Sequence, residues 1–118
     1  MMTVSETKFR KFYKKLYPAS IIFKIPDFKM TGMLGNAGLP DYLTINNGRT
    51  VWCEVKTAKA HTLYIKDFTQ GQHRVFYEMV SCGANIEVWL YSQKKFTVRK
   101  LSLSVWNLFL EEKKMCFE

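Results

Sequence analysis

The dipeptide Asn47-Gly48 restricts the fold of this sequence more than any other feature. It stands between two strand-like runs, Asp41 to Asn46 and Arg49 to Lys56. A type I′ turn needs positive φ at both central residues, and Asn-Gly adopts that geometry at little steric cost. A two-residue turn also fixes the register. Asn46 then faces Arg49, and at the far end of the ladder Asp41 falls opposite Glu54. Side chains directly opposed on one face of an antiparallel pair have Cβ atoms ~4.5–5.5 Å apart. Lys56, two residues beyond Glu54, points to that same face.

The rest of the chain arranges itself around this hairpin. Ser5 to Tyr17 reads as a helix with an apolar stripe of Phe9, Phe12, Tyr13, Leu16 and Tyr17, closed by Pro18. Ser20 to Ile25 is a short β-branched strand. Pro26 to Pro40 is an irregular, glycine-containing stretch of a length that tends to be functional. Phe68 to Cys82 reads as a second helix, with Phe76, Met79 and Val80 inward and Gly83 as its stop. Ile86 to Tyr91 and Phe96 to Leu101 are strands around the turn Ser92 to Lys95. A last helix, Ser104 to Lys114, carries Val105, Leu108 and Phe109 inward. A strand–helix–strand unit from Val51 to Tyr91 implies a parallel pair joined by a right-handed crossover. The expected fold is therefore α/β, a mixed central sheet flanked by helices, in one domain spanning residues 1–118.

Composition narrows the function. Eighteen Lys and Arg against 10 Asp and Glu give a formal charge of +8, which points to a polyanion, most simply nucleic acid. The three cysteines form no CxxC pair and the two histidines, His61 and His73, are too few for a histidine-based metal site. No phosphate-binding glycine loop or GxSxG elbow is present. No apolar run reaches the length of a membrane span, and the charged stretch Met1 to Lys15 does not read as a secretory signal. An intracellular, cytoplasmic setting without a membrane is expected.

The opposed carboxylates carry the chemistry. Two such groups repel each other unless positive charge lies between them. A divalent cation meets that need, because Mg²⁺ takes one or two carboxylates, keeps waters and bridges to phosphates. With the Lys56 ammonium beside them, these groups describe metal-assisted phosphodiester hydrolysis. A plainer reading makes Asp41 and Glu54 surface residues and Lys56 their ion-pair partner.

Gly38-Leu39-Pro40-Asp41, followed after twelve residues by Glu54-Val55-Lys56, resembles the PD-(D/E)xK nuclease signature. Within that superfamily it is similar to Holliday-junction resolvases and VRR-NUC domains. The resemblance implies a restriction-endonuclease-like fold with an αβββαβ core and an endodeoxyribonuclease using Mg²⁺, with Mn²⁺ as a substitute. It implies metal binding by Asp41, Glu54 and the Val55 carbonyl, and water activation by Lys56. It also brings in Gln72 as a support for Lys56 and the water, and Glu6 as a further metal ligand. Thr3-x-x-Glu6 is equally a capping box, and Gln70 competes with Gln72.

The chain has no visible specificity module beyond this core, so branched DNA (a Holliday junction, flap or fork) is the expected substrate, met in recombination, repair or phage DNA processing. Cutting a four-way junction symmetrically needs two sites, so a homodimer is expected, with the last helix (Trp106, Phe109, Leu110) as one candidate interface. Lys8, Lys11, Lys15, Lys29, Lys59 and Arg74 are the candidate nucleic-acid contacts. Asp27 is a possible peripheral ligand. A non-catalytic nucleic-acid-binding module, or a phage-type interaction protein that retains the fold, is the alternative.

Overall fold

The structure, a computed structural model, describes residues 3–26 and 38–117. Most of the irregular stretch expected between Pro26 and Pro40, with Asp27 and Lys29, lies outside those residues. The elements run α1 (Val4–Leu16), β1 (Ile21–Lys24), β2 (Tyr42–Asn46), β3 (Arg49–Thr57), β4 (Thr62–Tyr64), α2 (Gln70–Ser81), β5 (Ile86–Ser92), β6 (Lys95–Leu101), α3 (Leu103–Glu112) and β7 (Lys114–Cys116). Five strands make one sheet in the order β1-β2-β3-β5-β6, and β3 with β5 is the parallel pair that the α2 crossover requires. This is the expected mixed sheet flanked by helices, in the restriction-endonuclease-like arrangement.

The hairpin has the register read from its turn. Asn47 and Gly48 both have positive φ, 52° and 76°, and the ladder runs from Asn46–Arg49 to Tyr42–Cys53. Asp41 stands one residue before β2 begins. Alternation along β3 then sorts its side chains between two cores. Val51, Cys53 and Val55 pack with Tyr42 and Trp89 beneath Phe9 and Tyr13 of α1. On the opposite face, Trp52 joins Ile86, Val88 and Leu90 of β5 beneath α2 and α3. Glu54 and Lys56 share that second face.

The helix caps explain where the helices start. Thr3 and Glu6 form a reciprocal capping box on α1, and Thr69 and Gln72 form another on α2. Along α1, Phe9 and Tyr13 are fully packed while Phe12, Leu16 and Tyr17 stay partly exposed. The stripe seen in the sequence is therefore wider than the face that the sheet covers.

The C-terminal segment corrects the sequence reading. The last helix ends at Glu112 because Lys113 turns left-handed, φ 65°, and reverses the chain. Lys114–Cys116 then pairs antiparallel with Thr62–Tyr64 in a second, two-stranded sheet that periodicity does not reveal. This closure seats Met115 and Phe117 in the core. Leu108, expected inward, is 46% exposed, whereas Trp106 and Phe109 are buried. Those two rings belong to the core and are not available to a partner. Among the described residues no helix is long and apolar enough to cross a membrane.

Candidate active site

Glu54 sits in the middle of β3, hydrogen-bonded through its backbone neighbours to β5, with its side chain 3% exposed. Its Oε2 accepts from Gln72 Nε2 at 2.8 Å and lies 3.2 Å from Lys56 Nζ. The Lys56 ammonium also donates to the Asp67 carbonyl at 2.7 Å and to Gln72 Oε1 at 3.2 Å, and it lies 4.6 Å over the Phe68 ring. Glu54 Oε1 is buried and has no hydrogen-bond partner. A buried carboxylate oxygen left unpaired is costly, so this atom calls for a partner that the described residues do not give it.

The start of α2 aims Gln72. As third residue of the helix it accepts the Thr69 N–H at 3.0 Å through Oε1, while its own N–H donates to Thr69 Oγ1 at 3.1 Å. The cap thus fixes the amide oxygen and turns Nε2 onto Glu54. Gln70, its competitor in the sequence, lines a groove between α2 and α3 instead.

Asp41 reaches the same place from the other side. Its Oδ2 accepts the Val55 N–H at 2.9 Å and its Oδ1 lies 3.9 Å from Lys24 Nζ. A strand residue's carbonyl leaves the backbone on the same side as its N–H, so Val55 presents its carbonyl toward Asp41 as well. The approach to Asp41 depends on Gly38. A Cβ there would stand 2.4 Å from the Gly71 carbonyl group, and Gly38 has φ 102°. Only glycine lets this backbone lie against the first turn of α2, which places Asp41 and Gln72 around one point.

Electrostatics follow from this packing. Burial, and then the Asp41 charge, push the Glu54 carboxyl up to about 8, against the pull of Lys56 and Gln72. Burial also raises Asp41, opposed by the Val55 N–H and Lys24. Burial leads both shifts, and Lys56 at 3.2 Å from Glu54 and Lys24 at 3.9 Å from Asp41 offset it only in part, which leaves the pair short of positive charge. Oxygen donors, a partnerless Oε1 and this deficit fit a hard divalent cation. Among the described residues no group of three or more His, Cys, Asp or Glu is placed to hold a metal. A cation here would take two carboxylates, with water and backbone oxygen completing its shell.

Glu6 meets that pair through Lys24, and its charge helps to raise the Asp41 carboxyl. Its carboxylate serves the α1 cap and accepts from Lys24 at 2.5 Å. Burial, which by itself raises this carboxyl, is outweighed by Lys24 and Thr3, which hold it below the usual range. Lys24 is the residue that sequence reading missed. It ends an apolar strand, and it gains two carboxylate neighbours only through tertiary placement, Glu6 from α1 and Asp41 through the β1–β2 pairing.

The proposed nucleic-acid contacts scatter. Lys8 donates to the Tyr91 hydroxyl at 3.1 Å near the ends of β3 and β5, and Lys11 and Lys15 are exposed along α1. Lys59 is exposed just beyond β3. Arg74, two residues after Gln72, points away from the carboxylates into the α2–α3 groove with His73, Tyr77 and Trp106. His73 Nε2 lies 3.1 Å from the Ile65 carbonyl.

The fold is a restriction-endonuclease-like α/β arrangement. No family model and no curated protein sequence matches the chain. Among solved structures it is similar to Hjc of Archaeoglobus fulgidus, a Holliday junction resolvase from an archaeal hyperthermophile. The TM-score is 0.52 at 17% identity, over 84% of this chain and 73% of that one.

Proposed function

We propose that this protein is a metal-dependent endonuclease that hydrolyses DNA phosphodiester bonds, selective for branched DNA such as a Holliday junction, flap or fork. The observation that carries the proposal is Glu54, buried with one oxygen unpaired beside Asp41 and with Lys56 and Gln72 on the other oxygen. A surface ion pair needs neither that burial nor that open atom. The fold shared with a Holliday junction resolvase supports the same reading.

Asp41, Glu54 and the Val55 carbonyl would hold Mg²⁺ or Mn²⁺, which when bound supplies charge neutralisation for the attacked phosphate and a more acidic water. Lys56, anchored by Asp67 and Gln72, sits where its ammonium can orient a water and meet charge developing on the phosphate. Gln72 holds Glu54 and Lys56 in fixed relation, so the site is set before substrate arrives. Lys8, Lys11, Lys15 and Lys59 supply backbone contacts that carry no sequence information, which suits recognition by shape. Two-sided cutting of a four-way junction calls for a homodimer.

The test is cleavage of labelled linear duplex, single strand, flap, splayed fork and four-way junction, with Mg²⁺, Mn²⁺ or EDTA, for wild type and Glu54→Ala. Metal-dependent cutting that the variant loses, strongest on one branched substrate, is the expected result. Equal binding by both proteins with no cutting anywhere overturns the catalytic reading in favour of a binding module.

A further inference from the structure

Lys24 stands at the outer end of the carboxylate pair, held there by three elements. The β1–β2 register sets it opposite Tyr42, the residue after Asp41, and its ammonium lies 5.0 Å over the Tyr42 ring. The α1 capping box fixes Glu6 through Thr3 and presents Oε1 to Lys24 at 2.5 Å. Asp41 Oδ1 is the looser neighbour at 3.9 Å, beyond hydrogen-bond length, while Asp41 Oδ2 is taken by the Val55 N–H. The two oxygens of Asp41 therefore differ: one is locked to backbone, and the other faces a cation that another carboxylate already holds.

The Lys24 side chain is 35% exposed and that of Glu6 only 13%. The carboxylate is the fixed member of this pair and the long, flexible ammonium the movable one. A divalent cation at Asp41 and an ammonium at 3.9 Å from the same oxygen repel one another, so they compete for that carboxylate.

We propose that Lys24 is the resident counter-cation of the site. Held on Glu6, it lends part of its charge to Asp41 across 3.9 Å while no divalent metal is bound, and it is left to Glu6 alone once a metal takes Asp41. Glu6 is then a positioning residue that parks Lys24, not a metal ligand. This inference rests on the nuclease reading above and assigns roles within that same site.

The test is Mn²⁺ affinity, measured by titration calorimetry or by the electron-spin signal of free Mn²⁺, with DNA absent. The proteins are wild type, Lys24→Met, Lys24→Arg, Glu6→Gln, the Lys24→Met/Glu6→Gln double variant and Glu54→Ala. Removing the competing charge of a partly exposed pair tightens Mn²⁺ about fivefold in Lys24→Met, and Lys24→Arg stays near wild type. Glu6→Gln releases Lys24 onto Asp41 and weakens Mn²⁺ by a similar factor. In the Lys24→Met background Glu6→Gln has no further effect. If Lys24→Met leaves affinity unchanged or weaker, or if Glu6→Gln still weakens Mn²⁺ in that background, the counter-cation role is overturned, and the second result makes Glu6 a ligand. If Mn²⁺ does not bind wild type, or binds Glu54→Ala equally well, the nuclease reading itself fails, and this inference with it.

Discussion

Replacing Glu54 by Gln should stabilise the metal-free protein, and by an amount that grows with pH. The folded carboxyl is pushed from its ordinary 4.5 up to about 8, chiefly by burial and then by Asp41. Between those values the folded state holds a proton that the unfolded chain has released, so stability falls as pH rises through the window. At ~1.4 kcal/mol per pH unit, the interval bounds the loss at roughly 5 kcal/mol. Sharing of the proton with Asp41 and entry of water soften it, and we expect a loss of about 2 kcal/mol. Gln imitates the protonated acid. It keeps an acceptor for Gln72 Nε2 and removes the charge beside Asp41. The assay is urea unfolding in EDTA at about pH 5, 6.5 and 8 for wild type and Glu54→Gln. The two should coincide near pH 5 and diverge by about 2 kcal/mol near pH 8, with the variant more stable. Adding Mg²⁺ at the higher pH should recover the wild type and leave the variant unchanged. Equal pH slopes in the two proteins, or a wild type that gains stability between pH 5 and 8, would refute the reasoning.

Lys56→Met should cut DNA cleavage by about 100-fold or more while Mn²⁺ affinity changes only a few-fold, as single-turnover rates and calorimetry would separate. Gln72→Ala should cost about 1–3 kcal/mol of stability in a chemical melt, because it leaves Glu54 and Lys56 without the amide that bridges them. Gly38→Ala should destabilise by about 2–3 kcal/mol and lower cleavage, since its Cβ has no room beside Gly71 and its φ is positive; an unchanged melting temperature would show that this approach is not needed. The Lys8→Ala/Lys11→Ala/Lys15→Ala triple variant should flatten the salt dependence of DNA binding, by up to about 3 units of the log–log slope, with the preference among DNA structures retained.

Much of the fold is local and so was legible in the residues. Asn47-Gly48 set the hairpin and its register, the Thr3-x-x-Glu6 box set the start of α1, and alternation along β3 sent Val51, Cys53 and Val55 to one face, whereas α2 starts at Gln70 behind the Thr69 cap rather than at Phe68. The same register placed Asp41 by Glu54 and Lys56, because a two-residue turn leaves one pairing that keeps both faces consistent. Gln72 could be chosen over Gln70 because it lies in line with Phe76 on a helix face that must pack on the sheet.

Three features depended on contacts between segments far apart in sequence. The pairing of β4 with β7 joins short runs with no period of their own, and it redirected the end of α3 and the roles of Trp106 and Leu108. Glu6 looked like a ligand or a cap, and only the packing of α1 beside β1 gave it Lys24. The ionisation of Glu54 depends on its burial in the assembled core and on Asp41, Lys56 and Gln72 around it, which no single stretch of residues encodes. Sequence by itself determined which groups could meet, since turns, caps and alternation act within a few residues. Tertiary structure decided how they are charged and what they hold, because burial and ion pairing are properties of the assembled core.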